Sequence, residues 1–198
     1  MFLGGLGATA ASVVSFWIVF YVWIGSELWF GYRYRRLPSG AAAHDAGSRY
    51  WLISSVWASV TIAIGSAFGL PGAAIRTGRN EVFVLGLVLM VAGLALRWYS
   101  IRVLGASFTI DVATRPGQQV VESGPYRWIR HPSYTGGLLT ILGVILCCDN
   151  LASLAALVVI LLGYVYRIRV EERALATYIG PAYSDYMRRT KRLIPFLL

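Results

Sequence analysis

Long apolar blocks separated by short basic stretches dominate the 198-residue chain. Read for length and scarcity of charge, five blocks qualify as membrane-crossing helices: about Ala8–Phe30, Trp51–Leu70, Val82–Tyr99, Tyr134–Cys148 and Leu151–Val170. Most approach ~20 residues, or ~30 Å at the helical rise, enough for a hydrocarbon core. The fourth is short, and only Asp149 and Asn150 separate it from the fifth. That spacing predicts an antiparallel helical hairpin whose two roots return to one side. Between the third and fourth blocks, Arg102 to Pro132 is too irregular for a span and too aromatic for a linker, which predicts an ordered loop. From Glu171 the fifth helix is expected to continue into water and to end near the basic run Arg188, Arg189, Lys191, Arg192.

Composition agrees. At 57% hydrophobic and 14% charged residues, the chain lies outside the range of an ordinary soluble domain. The fold class predicted is an all-α integral membrane protein of one domain, with three N-terminal spans in residues 1–100 and the loop, hairpin and C-terminal region in 101–198. The net charge of +9 comes from residues scattered between blocks, so no nucleic-acid module is expected. Basicity marks a membrane face instead. With the N-terminus outside, the inner side receives Arg33, Arg35, Arg36 and Arg49, then Arg97, Arg102, Arg115, Arg127 and Arg130, then Arg167, Arg169, Arg173, Arg188, Arg189, Lys191 and Arg192, against Arg76 and Arg79 outside. The C-terminus is therefore expected in the cytoplasm, where the terminal basic run suits an anionic leaflet. Met1 to Gly7 carry no Lys or Arg, so a cleaved secretory signal is not expected and the first block should stay. Cys147 and Cys148 are adjacent and apolar in context, which fits neither a disulfide framework nor a metal site.

Candidate chemistry concentrates where the loop meets the fourth block, in Gly124-Pro125-Tyr126 and Arg130-His131-Pro132-Ser133-Tyr134 with Gly136 and Gly137. Pro132 drives His131 from helical dihedrals and suits a first helical turn, so a helix should begin there with its N–H groups and positive dipole end at the membrane surface. Such a terminus can hold a carboxylate or phosphate, the glycines permit close approach, and Tyr126 and Tyr134 offer stacking faces with a polar tip. The plain alternative is that these residues only anchor the interface. A second cluster, Tyr164, Arg167, Glu171 and Glu172, falls at the inner end of the fifth block, with Arg167 and Glu171 on one helical face. An ordinary interfacial ion pair would explain it; so would an acidic contact to a positively charged ligand.

At these clusters the chain resembles the isoprenylcysteine carboxyl methyltransferase family, which is related to the membrane phospholipid methyltransferases. The likeness rests on the two motifs above, on Arg167 before Glu171-Glu172, and on Tyr178-Ile179-Gly180-Pro181-Ala182-Tyr183, Tyr186 and Ile194-Pro195-Phe196. It implies an integral-membrane enzyme using S-adenosyl-L-methionine. By family pattern the donor is held by Gln118, Gln119, Val120 and Val121, with Tyr126, His131, Pro132, Ser133, Tyr134 and Glu171. Arg167 lies toward a lipophilic or lipidated acceptor, Glu172 joins Arg167 as a catalytic candidate, and Asp111 stands where eukaryotic members tend to carry an amide. The N-terminal half is expected to shape the lipid entrance.

Methyl transfer from a sulfonium is an in-line displacement that asks the protein for positioning and exclusion of water, without a metal. A carboxylate acceptor needs no base, whereas a phenol or amine would draw on His131, Glu171 or Glu172. Two competing classes remain: a membrane NADPH-dependent reductase of steroid-reductase type, although no GxGxxG turn follows a strand, and a non-catalytic membrane scaffold. Glu27 and Arg97 are expected to reach the interface, with a cleft role open to Arg97. His44 is expected to be solvated, and Trp17, Trp23, Trp29, Trp51 and Trp57 to make lipid or interface contacts rather than a cofactor cage.

Overall fold

The computed structural model describes residues 9–35 and 41–195. The expectations that fall on residues 1–8, Arg36 and 196–198 lie outside the described residues. Five long helices follow the five apolar blocks: α1 Ala10–Arg33, α2 Ser48–Gly69, α3 Arg79–Leu104, α4 Pro132–Cys147 and α5 Ala155–Ile179, with a short α6 Pro181–Arg189 behind them. Four, counting the turn that leads into α5, are long and apolar enough to cross a membrane, and α4 is the shorter fifth. Their outer faces carry exposed Ile18, Val22, Val88, Val91, Val158 and Leu162 while Phe16, Met90, Ile141 and Ile160 fill the interior. An exterior this apolar is stable against hydrocarbon rather than water. This is an integral membrane fold.

Local chemistry sets the helix ends. Thr9 caps α1 by accepting from the Ser12 N–H at 3.2 Å. Pro132 opens α4 after a non-helical His131, as its ring geometry dictates, and Pro181 opens α6 after Gly180 at φ 72°. At the other end of α4, Asp149 takes a left-handed φ of 48° and turns the chain into α5.

Helices α4 and α5 are consecutive and antiparallel, but they diverge. α4 packs along α3, and α5 along α2. The α3–α4 seam is made by glycines: a Cβ on Gly93 would stand 2.5 Å from the Gly136 carbonyl oxygen, and one on Gly86 2.8 Å from that of Gly143. Small residues let two backbones approach this closely in a lipid setting. The seam runs from Arg97 beside Gly136 to Phe83, whose carbonyl faces the Cys147 thiol at 3.6 Å. The short α4 thus runs beside the Phe83–Arg97 stretch of α3, and α5 brings the chain back.

α1 leans on α3 and makes little contact with α2. One bundle end collects the last turns of α1, α3 and α5, the first turns of α2 and α4, and the ordered loop before α4. The all-α expectation needs one small addition, an antiparallel ladder pairing β1 Ala42–Ala43 with β2 Ala113–Thr114. Next to it His44 is exposed but not merely solvated: its Nε2 lies 3.0 Å from Thr114 Oγ1 and its N–H donates to the Val112 carbonyl. Trp23 also departs from expectation, being 3% exposed and turned inward.

Candidate functional site

At this end a polar cleft opens between the loop, the first turn of α4, the last turns of α5, and α6. Gln118, Gln119, Val120, Val121, Tyr126, His131, Ser133, Tyr134, Arg167 and Glu171 all line it, so the structure brings nearly every predicted site residue to one place. Asp111, Tyr183 and Tyr186 complete the wall. Burial pushes the Tyr126 and Tyr183 phenols well above their ordinary range, with Glu171 nearby adding to it, so both present neutral hydroxyls and flat ring faces. Tyr186 donates to the Tyr126 carbonyl at 2.6 Å and ties α6 to the turn Gly124–Arg127.

A relay of hydrogen bonds crosses the cleft. Arg167 Nε donates to Tyr134 Oη at 3.2 Å, and Tyr134 in turn donates to Glu171 at 2.5 Å. The His131 ring stacks on Tyr134 with centroids 5.3 Å apart and planes 6° from parallel. Arg167 is further held by Asp45, by Ser48 Oγ at 2.7 Å and by the Ile110 carbonyl. With five N–H donors, it keeps a single Nη2 hydrogen for another partner. Buried and held on three sides, the guanidinium is a fixed positive point rather than a mobile one.

Two predicted residues do not face the cleft. Pro132 acts through the backbone by starting α4. Glu172, the catalytic candidate, points away: its carboxylate accepts from Arg130 Nε at 2.8 Å, His131 Nε2 at 3.3 Å and Arg192 Nε at 3.0 Å. Three donors hold it, and its position next to Glu171 explains the divergence, because successive residues on a helix are turned by ~100°. It works as a clamp. Around it the C-terminal stretch pairs with the loop as a strap, through the N–H of Arg130 to the Lys191 carbonyl at 2.7 Å and that of His131 to Arg192 at 3.0 Å. Thr135 Oγ1 adds a bond to the Leu193 carbonyl at 2.7 Å.

A second cavity, of about 480 Å³ and mostly apolar, lies on the other side of the Arg167–Tyr134 pair. Trp23, Ile24 and Leu28 of α1, Leu52, Val56 and Trp57 of α2, and Gly137, Ile141 and Tyr164 of α4 and α5 line it. From Arg49 to Trp57 along α2 it reaches ~12 Å in helical rise toward the bilayer centre. Phe108, Thr109, Tyr134 and Arg167 border both spaces.

One residue here, Asp45, escaped sequence reading. Asp45 binds Arg167 and accepts from the Arg49 N–H at 3.0 Å and the Val112 N–H at 3.1 Å. Burial opposes its ionisation, yet those N–H groups and the guanidinium prevail and hold the carboxyl below its usual range. Glu27 and Arg97 are paired with each other rather than reaching separately for the interface, and Arg97 Nη1 also donates to Ser133 Oγ at 2.9 Å. Asp111 pairs with Arg49 at 3.3 Å. Among the described residues no cluster of His, Cys, Asp and Glu suits a metal ion.

A membrane-embedded site with a polar and an apolar compartment, joined at one buried guanidinium, is the class that this fold defines. The sequence profile of the isoprenylcysteine carboxyl methyltransferase (ICMT) family matches residues 84–177, which cover the α3–α4 seam, the cleft loop and the Arg167–Glu171 face. Protein-S-isoprenylcysteine O-methyltransferase B of Arabidopsis thaliana is 32% identical over 115 residues, 57% of this chain and 58% of the relative. The Saccharomyces cerevisiae protein-S-isoprenylcysteine O-methyltransferase is 33% identical over 117 residues, 58% of this chain and 49% of the relative. A solved structure of the eukaryotic intramembrane Ras methyltransferase ICMT superposes with a TM-score of 0.56 at 25% identity, over 76% of this chain and 53% of that one. Over residues 84–177 the chain is therefore similar to the ICMT family, and it spans about half the length of these relatives.

Proposed function

We propose that the chain is an S-adenosyl-L-methionine-dependent methyltransferase that esterifies the carboxylate of a lipophilic, isoprenylcysteine-like acceptor at the cytoplasmic membrane face, with its N-terminus outside. The observation that carries this reading is the meeting of a polar cleft and an apolar cavity at Arg167 and Tyr134. Arg33, Arg49, Arg102, Arg115, Arg127 and Arg130 gather at the cleft end, which supports the orientation under the positive-inside rule.

The cleft suits a cationic nucleoside: ring faces at Tyr126 and Tyr183, side-chain amides at Gln118 and Gln119, and carboxylates at Glu171 and Asp111. Gln118 to Val121, Tyr126, His131, Ser133, Tyr134 and Glu171 are the residues that would hold S-adenosyl-L-methionine, with Pro132 fixing the turn. When bound, it supplies an electrophilic methyl on a sulfonium. On the protein side, the acceptor carboxylate is already anionic and needs no general base. The remaining Arg167 N–H orients it by a charge-assisted hydrogen bond while its apolar arm lies along α1 and α2. Phe108 and Tyr134, bordering both spaces, keep water from the junction.

Calorimetry of detergent-purified protein with S-adenosylhomocysteine should show binding that Tyr126→Ala weakens tenfold or more, and NADPH should show none. Labelled methyl should then pass to an S-prenylated cysteine bearing a free carboxylate. Binding of NADPH with no binding of S-adenosylhomocysteine would overturn the reading in favour of a reductase, and binding of neither in favour of a scaffold.

A further inference from the structure

Of the charged groups that line the apolar cavity, all but one are firmly held. Glu27 and Arg97 face each other as an ion pair, and Arg167 is gripped by Asp45, Ser48 and the Ile110 carbonyl. Arg49, in the first turn of α2, is different. Among the described residues its side chain makes one hydrogen bond, from Nη1 to Asp111 Oδ1 at 3.3 Å, and the two side chains are 31% and 27% exposed. Pairs as open as this contribute little. Its Nε, by contrast, is buried and donates to nothing among the described residues, which polar groups ordinarily avoid. The position is fixed beside Arg167: one Asp45 oxygen takes the Arg167 guanidinium and the other the Arg49 N–H at 3.0 Å. The pair also spans the partition of the site, for Asp111 lines the polar cleft and Arg49 the apolar cavity.

We propose that Arg49 is a second binding group for the acceptor carboxylate. When the acceptor fills the cavity, the side chain leaves Asp111 and turns its Nε–Nη2 edge onto the head held at Arg167, so that two guanidiniums flank one anion. That edge is a fork that a carboxylate meets with both oxygens, and it contains the N–H that lacks a partner. A half-open pair with a single contact is one that a carboxylate on its way out of water can displace. The exchange favours a free acid and rejects its ester or amide, which bring no charge to replace that of Asp111. This rests on the assignment of the apolar cavity to the acceptor.

The probes are an S-prenylated N-acetylcysteine as the free acid and as its methyl ester, titrated calorimetrically into the full chain in detergent without a methyl donor. The quantity read is the ratio of acid to ester affinity, from which a general loss of cavity shape cancels. Arg49→Gln should lower that ratio about tenfold, the span of one charge-assisted hydrogen bond less the exposed pair given up, and Arg49→Lys should recover part of it. Asp111→Asn should raise the ratio by about two- to fivefold, because the competitor for Arg49 has lost its charge. A ratio unchanged in Arg49→Gln, or not raised in Asp111→Asn, would overturn the proposal. Should Arg49→Gln fail to fold, the Asp111→Asn ratio decides alone. Binding of neither probe to wild-type protein would strike the reading of the cavity as an acceptor site and the proposal with it, an outcome distinct from a ratio that Arg49→Gln leaves intact.

Discussion

Asp45→Asn tests the architecture of the site most sharply, because it changes one oxygen to nitrogen and leaves shape intact. Asp45 receives four donors: the N–H groups of Arg49 at 3.0 Å and Val112 at 3.1 Å, Ser48 Oγ at 3.1 Å, and the Arg167 guanidinium. An asparagine oxygen can serve about two of these, and its amide would turn N–H groups toward the others. Losing one or two bonds, one of them to a charge, costs about 2 kcal/mol. For a chain of this size that lowers Tm by roughly 4–8 °C. Melting followed by fluorescence of the detergent-purified protein at pH 7 reads it. The pH dependence supplies an internal control. Since the Asp45 carboxyl is held below its ordinary 3.8, its contribution is complete above that value and fades as pH falls through the lower folded value. The wild-type and Asp45→Asn melting curves should therefore lie apart at neutral pH and converge below about pH 4. Coincident melting at pH 7, or a gap that stays constant into acid, would refute the claim that a charged Asp45 holds Arg167 in place.

Gly93→Ala should lower stability by about 1–3 kcal/mol, since its methyl would press on the Gly136 carbonyl and Thr140 with backbone on both sides; detergent melting checks it. Glu27→Gln should loosen α1 from Arg97 and raise the acceptor KM severalfold while donor affinity holds within about twofold, because hydrogen bonds to charge carry most of the pairing. Glu172→Gln should release the Arg130 and Arg192 side chains, so that limited trypsin cleaves at Lys191 and Arg192 faster than in wild type, and should lower the melting temperature, because the buried Arg130 guanidinium loses its charged partner.

Hydropathy made the five helices legible, because each span must be apolar over its whole length whatever it packs against. The His131-Pro132 step likewise fixed the start of α4 to the residue, since ring geometry acts locally. Which helices are neighbours was not legible from hydropathy, as lipid and protein neighbours look equally apolar. A signal did exist: Gly86 and Gly93 on α3 repeat the seven-residue spacing of Gly136 and Gly143 on α4, and these four form the seam. Cleft residues were recovered from a run of motif positions, whereas Asp45 sits in a short Ala- and Gly-containing loop with no local pattern, and only the fold carries it to Arg167. Glu171 and Glu172 are chemically identical in sequence; the helix phase alone decides that one faces the cleft and the other grips the strap.

The pairing of 191–193 with Arg130, His131 and Thr135 has a temporal meaning for a chain made from its N-terminus. All five membrane helices leave the ribosome before that stretch does, so the bundle can insert while the pocket wall at His131 still lacks its backing. The wall at His131 is thus the last part of the cleft to receive its backing.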